Sequence, residues 1–485
     1  MGDGELFIYP GYVQAGAPGS ARVLVVARGP AALRGVRLEV RSPSGYSFVA
    51  SRGPADDPAA IARALGDAGV RVHAFDLPAP PDDAPLEITA EARGTTATKF
   101  VRPMPARVGG GLSFVFGSCT YGYHEERSAS LGHALEREHD AGASFSLFLG
   151  DNVYCDVHPN NVGPDPHAHV ARIYAHAFAE SAGLRRAMSA GPTMFAFDDH
   201  DFYDGYPETQ PHVARTWIPF VRDEHVRAAR EAIEILPAAL NPAPVVSGSK
   251  SYRFDVDPVS FFVLDLRTQR TKLGAAWPRL TGDDDLAQLE AWAAGLRAPG
   301  VLAVEQPLYI EDGSFHEPSP TAFHRQFERI LRALAEAPYD VLVLAGDLHW
   351  SQLVLLDVAG RRIPELTSSP FVRIPSFARN MLTRAIGTPE DQESQEVVIP
   401  RSITRPAVAL PFDVARYVMG TSVANTFCRV RLRVPASGRV DADVDFFDHA
   451  AGAVAPSQAD RGRGMQPEIA IGSPCRARIS LGPRP

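Results

Sequence analysis

The sequence predicts an α/β protein: a layered domain of strands alternating with helices, preceded by a small β-rich domain. The first observation behind this is a phrase used three times. Phe145 to Asp156, FSLFLGDNVYCD, is an apolar run of strand length, stopped by Gly150 and followed at once by Asp151, Tyr154 and Asp156. Val341 to His349, VLVLAGDLH, repeats it with Gly346, Asp347 and His349, and Met194 to Asp201, MFAFDDHD, ends in three Asp and His200 without the glycine. Ligands of open α/β sheets sit beyond the carboxyl ends of the strands, so three tips offering Asp and His to one place point to a metal site. Taken one at a time, such carboxylates also cap helices or turn the chain. The second observation is the strand and helix alternation that begins at Leu112, and the third is the run of short strands before it.

At 485 residues the chain exceeds what one core usually organises, and its 45% hydrophobic and 22% charged content is ordinary for a globular protein. A net charge of −9 argues against a nucleic-acid partner, which needs clustered cations. Positive charge is almost wholly arginine, since the lysines are Lys99, Lys250 and Lys272 alone. The four cysteines, Cys119, Cys155, Cys428 and Cys475, are too scattered for a disulfide framework, so thiols are expected. No run is long enough to span a bilayer, and no membrane partner is expected. MGDGELFIYPGY carries no export signal, so the expectation is cytoplasmic, or extracytoplasmic if a leader has been removed.

Residues 1–107 read as short strands at 6–8, 23–26, 36–40, 70–75, 86–90 and 98–101, separated by Gly, Pro, Asp and Ser. Alternation as in VRLEVRS fits a small β-sandwich, with one helical segment at Pro58 to Ala68. PMPARVGGG, at 103–111, is the boundary, and residues 108–450 form the layered domain. Within it, strand 112–116 ends in Gly117, Ser118 and Cys119. Helices are expected at 128–141, 167–189 with a weak point at Ser181 to Gly183, 220–236, 284–297 and 321–337. Strands 251–255 and 259–264 pair across Asp257 and Pro258, and the second exits into Asp265, Leu266 and Arg267. After the strand at 353–358, residues 371–419 read as a long surface excursion. A hairpin of 427–434 and 440–447 closes the domain, and 451–485 reads as a weakly structured tail.

The strand-tip groups are Cys119, Asp151, Tyr154, Asp199, His200, Asp347 and His349. Singly, each has an ordinary reading: Cys119 as a small buried hydrophobe, Tyr154 as core, the histidines as satisfied polar groups, Arg267 as the partner of a nearby carboxylate. Together, GSC at 117–119, GDNVYCD at 150–156, DDHDF at 198–202, LDLRTQR at 264–270, GDLHWS at 346–351 and ELTSSP at 365–370 resemble, in order, the motifs of the alkaline phosphatase D (PhoD-like) family of metallophosphoesterases. That resemblance covers residues 112–370 and, more loosely, the hairpin and the β-rich N-terminal part. It implies a four-layer αββα sandwich, two or more metals and phosphoester hydrolysis. By position Asp151 would bridge the metals, Cys119, Tyr154 and His349 would complete a site for Fe3+, and Asp199 and Asp347 would hold Ca2+, with Mn2+, Mg2+ or Zn2+ as alternative occupants. His200 matches the family's histidine beside the phosphate.

The residues agree on chemical grounds. A thiolate and a phenolate suit a polarising transition ion, while carboxylates suit calcium, magnesium or manganese. Cys119, Tyr154, Asp151, Asp199 and Asp347, if all ionised, exceed what one divalent ion balances, and a trivalent and divalent pair fits better. The expected reaction is in-line attack by a metal-bound hydroxide on a small-molecule or polymer phosphoester, monoester, diester or both. His200 would protonate the leaving group, oriented by Asp198 or Asp201, and Arg267 would clamp the phosphate. A non-catalytic, metal-stabilised protein that binds a phosphorylated ligand is the alternative. Two departures stand out. Tyr203, Asp204 and Gly205 replace the family's asparagines, and none of His212, His225, His316 and His324 convinces as the histidine that many metallophosphoesterases supply between the third and last motifs.

Overall fold

Alternation of apolar and polar residues shapes the first hundred residues of the computed structural model. It describes residues 4–17, 20–29, 35–52, 60–156, 165–209, 217–309, 318–373, 414–422, 425–435, 439–449, 452–453, 469–472 and 476–484. Strands β1 (Glu5–Pro10), β2 (Ser20–Arg28) and β5 (Val70–Pro78) make one antiparallel sheet. Strands β3 (Val36–Arg41), β4 (Ser47–Arg52), β6 (Leu86–Ala92) and β7 (Thr95–Val101) make a second, in the order β4-β3-β6-β7. Val23, Val25, Leu38, Val40, Phe75, Leu77 and Ile88 close the core between them. The sequence reading passes over β4, because an edge strand exposed along most of its length has little apolar alternation to betray it.

Helix α1 (Ala60–Asp67) falls within the expected helical segment, of which Pro58 and Ala59 lie outside the described residues. Ile61 and Leu65 pack with Tyr9, Leu24, Val26 and Val70 of the first sheet into the core of the larger domain, and the Ile61 amide donates to Glu231. The Pro and Gly segment at 103–111 is likewise anchored, by buried Met104 and Val108 and by a Val108 amide bond to Asp257 O.

The larger domain holds two facing sheets. One runs β10 (Thr193–Ala196), β9 (Ala143–Leu149), β8 (Leu112–Gly117), β18 (Thr426–Arg433), β19 (Val440–Asp448), β22 (Arg476–Leu481), β21 (Ile469–Gly472), with β20 (Gly452–Ala453) beside β19. The other runs β11 (Tyr252–Val256), β12 (Val259–Val263), β13 (Gly300–Ala303), β14 (Val341–Ala345), β16 (Arg361–Thr367), β15 (Ser351–Val358), β17 (Val414–Ser422). Aromatic rings lock the sheets together: Phe114 stacks on Phe145 at 4.9 Å, Phe254 on Phe261 at 4.7 Å, and Phe145 meets Phe254 edge-on. Helices α2 (Glu125–Asp140), α3 (Pro166–Ala175), α4 (Ala182–Ser189) and α5 (Pro219–Ile235) cover the first sheet. Helices α6 (Asp283–Ala294) and α7 (His324–Glu336) cover the second through Leu286, Leu289, Phe327 and Ile330. The architecture is αββα. No described helix is long and apolar enough to cross a membrane.

Two expectations change. The helix expected over 167–189 is interrupted by a π turn at His176–Glu180 and restarts at Ser181, whose hydroxyl caps α4. The tail expected over 451–485 instead supplies β21 and β22 to the first sheet. RARISL escapes notice because Arg478 and Ser480 face outward, yet Ala477, Ile479 and Leu481 point into the core between the sheets. The 427–447 hairpin therefore sits inside the sheet rather than at its end. Its outer face is a ladder of opposite charges in which Arg429 and Arg431 meet Asp445 at 2.9 and 2.7 Å, and Arg478 meets Asp443 at 2.8 Å. Of the expected excursion, 374–413 lies outside the described residues, as do 454–468 and 473–475.

His73, opposite Val25 in the first sandwich, is 3% exposed, and neither ring nitrogen meets a partner among the described residues. Burial, reinforced by Arg71 and Arg52, pushes its pKa down to about 4. The unfolded chain therefore takes up this proton first, so the fold loses stability as pH falls from about 6.5 to about 4, by roughly 3 kcal/mol in all. Thermal denaturation of His73→Leu beside the wild type should show an advantage for the variant that widens as pH drops through this range. A gap that stays constant with pH would refute it.

Candidate metal centre

Strands β8, β9 and β10 run parallel in one sheet, and β14 runs parallel to its neighbours in the other, so each delivers its carboxyl end to the next loop. Those four tips carry Cys119, Asp151, Asp199 with His200, and Asp347 with His349. The loops are pressed together at two glycines. A Cβ on Gly150 would stand 2.6 Å from Asp198 Cβ, and one on Gly346 would stand 2.6 Å from both Leu149 O and Ser118 Oγ. Cys119, Asp151, Asp347 and His349 all adopt positive φ, at 60°, 51°, 70° and 55°. Left-handed backbone costs an L-residue on the order of 1–2 kcal/mol and persists where the surroundings enforce it. Here the Cys119 amide donates to Gly150 O, the Thr120 amide to Asp151 O, the Asp347 amide to Ser118 Oγ and the His349 amide to Ser369 Oγ. Serines of the GSC and ELTSSP motifs thus hold the strained tips in place.

Asp151 is the centre of the group. Its Oδ2 lies 3.4 Å from Cys119 Sγ and 3.4 Å from Tyr154 Oη, and Tyr154 Oη lies 3.4 Å from His349 Nε2. For the oxygen and nitrogen pairs these are long hydrogen bonds, since O–H donors usually sit at about 2.5–3.0 Å. They do match the edges of a coordination shell, because donor atoms about 2.0–2.3 Å from one tetrahedral ion stand roughly 3.3–3.8 Å apart. Among the described residues, three groups bring one ligand atom from each member within 4.8 Å of the others: Cys119, Asp151 and His349; Asp151, Asp199 and His200; and Asp198, Asp199 and Asp347. Asp151 and Asp199 each belong to two groups, so the arrangement offers adjoining positions that share carboxylates.

Electrostatics without a cation are unfavourable. Burial pushes Asp151 up to about 7 against the pull of His200, and raises the Cys119 thiol and the Tyr154 phenol well above their ordinary values, with neighbouring acids adding to both. Burial also lowers His349 to about 3, keeping its imidazole neutral and its lone pair available. Buried anionic and neutral donors that resist ionising for want of positive charge are a donor set that fits metal ions.

Several sequence assignments change place. Arg267 is 0% exposed, with Nε 2.5 Å from Asp198 Oδ1 and Nη1 donating to Tyr206 O at 2.6 Å. It sits beneath the ligands as a buried counter-ion, so the phosphate-clamp expectation fails. His200 is oriented by neither Asp198 nor Asp201. Asp201 accepts from the amides of Asn152, Val153 and Asp198, and the Nδ1 of His200 lies 2.8 Å from Asp156 Oδ1. Burial alone would lower His200, but Asp156, Asp199 and Asp151 hold it well above its ordinary value.

The segment that departs from the family pattern serves the site through its backbone. The Asp204 amide donates to Asp156 and the Gly205 amide to Asp199, at 2.8 and 2.6 Å, while Asp204 Oδ1 stands 3.7 Å from His200 Nε2. Gln306, just beyond β13, is a residue the sequence reading missed. Its Nε2 donates to Asp347 at 2.9 Å, and Arg270 donates to its Oε1. The signal was present, since VLAVEQP is another apolar run ending in polar residues, but it lacks the Gly-Asp phrase. His225 is buried and bonded to Phe202 O, His324 is exposed and bonded to Thr321 O, and His212 and His316 lie outside the described residues.

No protein-family model matches the chain, and no curated protein matches it in sequence. Solved structures do match. The structure of PhoD aligns with a TM-score of 0.64 at 15% identity, over 93% of this chain and 88% of PhoD. A purple acid phosphatase from seeds of yellow lupin, Lupinus luteus, aligns with a TM-score of 0.53 at 10% identity, over 93% of this chain and 73% of the phosphatase. At these identities the likeness is one of fold.

Ion occupancy of these side chains would link metal binding to folding. Chelation should lower the Tm of the metal-loaded wild type by about 3 °C or more. In Asp151→Asn that dependence should vanish, and its metal content by elemental analysis should fall. A chelator shift as large in the variant as in the wild type would remove Asp151 from the ligand set.

Proposed function

We propose that this chain, which has the PhoD-like metallophosphoesterase fold, is a metal-dependent phosphoester hydrolase. The observation that carries the reading is the convergence of Cys119, Asp151, Tyr154, Asp199, Asp347 and His349, from four strand tips, beside a histidine held by its own carboxylate. The donor set favours Fe3+ among Cys119, Tyr154, His349 and Asp151, and Ca2+ or another hard divalent ion among Asp151, Asp199 and Asp347. Bound there, the ions would supply the Lewis acidity that makes water nucleophilic near neutral pH and neutralises phosphoryl oxygens.

The chain's own residues do the rest. Asp156 binds His200 at Nδ1, which leaves Nε2 for the site, and that carboxylate favours the protonated ring. A proton at Nε2 is thus available to a departing alkoxide. Arg267 neutralises Asp198 and steadies the loop that carries Asp199 and His200. Gln306 fixes the Asp347 carboxylate through one oxygen.

Metal-loaded protein should hydrolyse p-nitrophenyl phosphate, its bis ester or both, and lose activity on chelation and in Asp151→Asn. His200→Gln should lower kcat by roughly 10²- to 10⁴-fold with metal content retained. An absorption band in the visible that weakens in Tyr154→Phe would accompany iron, and an active, colourless zinc protein would overturn that choice of ion. Metal-loaded protein inert to both esters yet able to bind inorganic phosphate would instead support a phospholigand-binding role.

A further inference from the structure

With Arg267 buried beneath the ligands, the substrate phosphoryl group lacks the cation that the sequence assigned to it. Arg270 is no substitute, being 5% exposed and donating to Leu266 O and Gln306 Oε1. A substrate can approach only where the site meets solvent. Cys119, Asp151, Tyr154 and Asp199 are buried, whereas His200, Asp347 and His349 are partly exposed, so the opening lies on their side. Arg373 stands at that opening. It is partly exposed, although the two residues before it, Phe371 and Val372, are fully buried, and its Nη2 donates to His349 O at 3.2 Å.

Its backbone is fixed to the metal-ligand loop rather than left on a free strand end. The Phe371 amide donates to Ser118 O and the Val372 amide to Cys119 O. Val372 O accepts from Tyr121, and the Arg373 amide donates to Asn425 Oδ1 at 2.8 Å. The guanidinium charge is close enough to His349 to help depress its basicity. A preorganised cation beside a ligand, on the solvent side, is what electrostatic stabilisation of a phosphoryl group requires.

We propose that Arg373 grips the non-bridging oxygens of the substrate phosphoryl group and favours the dianionic monoester over the monoanionic diester. This rests on the phosphoester-hydrolase reading. The preference arises from Coulomb attraction, which grows with the charge on the ligand. The sequence reading passes over Arg373 because it lies three residues past the ELTSSP motif and adjoins a stretch with no recognisable phrase.

The test is calorimetric titration of inorganic phosphate into metal-loaded wild type, Arg373→Ala and Arg373→Lys, with elemental analysis of each and KM and kcat for p-nitrophenyl phosphate and its bis ester. Arg373→Ala should bind phosphate roughly 10- to 100-fold more weakly at unchanged metal content, and Lys should recover part of the loss. KM for the monoester should rise more than KM for the diester. Should the Ala variant fail to fold, the Lys variant decides, because loss of the planar fork should still weaken phosphate binding. Unchanged phosphate affinity, or weakening in step with metal loss, would overturn the proposal and leave Arg373 a support for His349. Equal effects on both esters would overturn the monoester preference. Wild type that turns over neither ester but binds phosphate defeats the hydrolase reading alone, and the titration still decides Arg373. Wild type that binds no phosphate defeats the proposal.

Discussion

Carboxylates placed within contact of one another where water barely enters repel, and the geometry around Asp151 is organised to withstand that repulsion. Each acid is held by something that cannot retreat. Asp201 is tied by backbone amides, Asp198 by Arg267, Asp156 by His200, Asp347 by Gln306 and Asp199 by the Gly205 amide. The strained tips at Cys119, Asp151, Asp347 and His349 are the same design carried into the backbone. Fixing donors that would otherwise move apart lowers the reorganisation that ion binding must impose.

Rigidity on this scale needs a scaffold on both sides. The two facing sheets supply it, because β8, β9 and β10 come from one and β14 from the other, and the Phe114, Phe145, Phe254 and Phe261 stack keeps them in register. Glycines at 150 and 346 let the loops approach where a side chain would collide. The N-terminal sandwich joins the support at a distance. Tyr9 donates to Phe178 O in the π turn, and His176 of that turn stacks on Tyr123, four residues beyond Cys119.

The fold and the gathering of donor side chains are legible in the sequence for one reason: a buried parallel strand is a continuous apolar run, and the residues just past its carboxyl end lie at the sheet edge where ligands bind. FSLFLGDNVY and VLVLAGDLH carry both parts of that signal. Local sequence does not reveal which partner a charged side chain chooses after folding. Arg267 next to a strand tip reads equally as a clamp or as a counter-ion, and only its burial against Asp198 separates the two. Asp156, Asp198 and Asp201 are interchangeable as letters, yet one faces an imidazole, one a guanidinium and one a set of amides. Strand β22 is hidden for a related reason, since its Arg478 answers an aspartate on a neighbouring strand that local composition does not reveal.

The depth of Cys119 bears on how the protein would endure before ions reach it. A thiolate is what oxidants and alkylating agents attack, and access is the other condition for reaction. Cys119 is fully buried, shares a hydrogen bond with Ser118, accepts one from Ser369, and is kept protonated by its surroundings in the absence of a cation. Cys155 and Cys428 are buried as well. The sulfur that is most reactive in open solution is therefore chemically dormant where it sits, a buried thiol until coordination would ionise it.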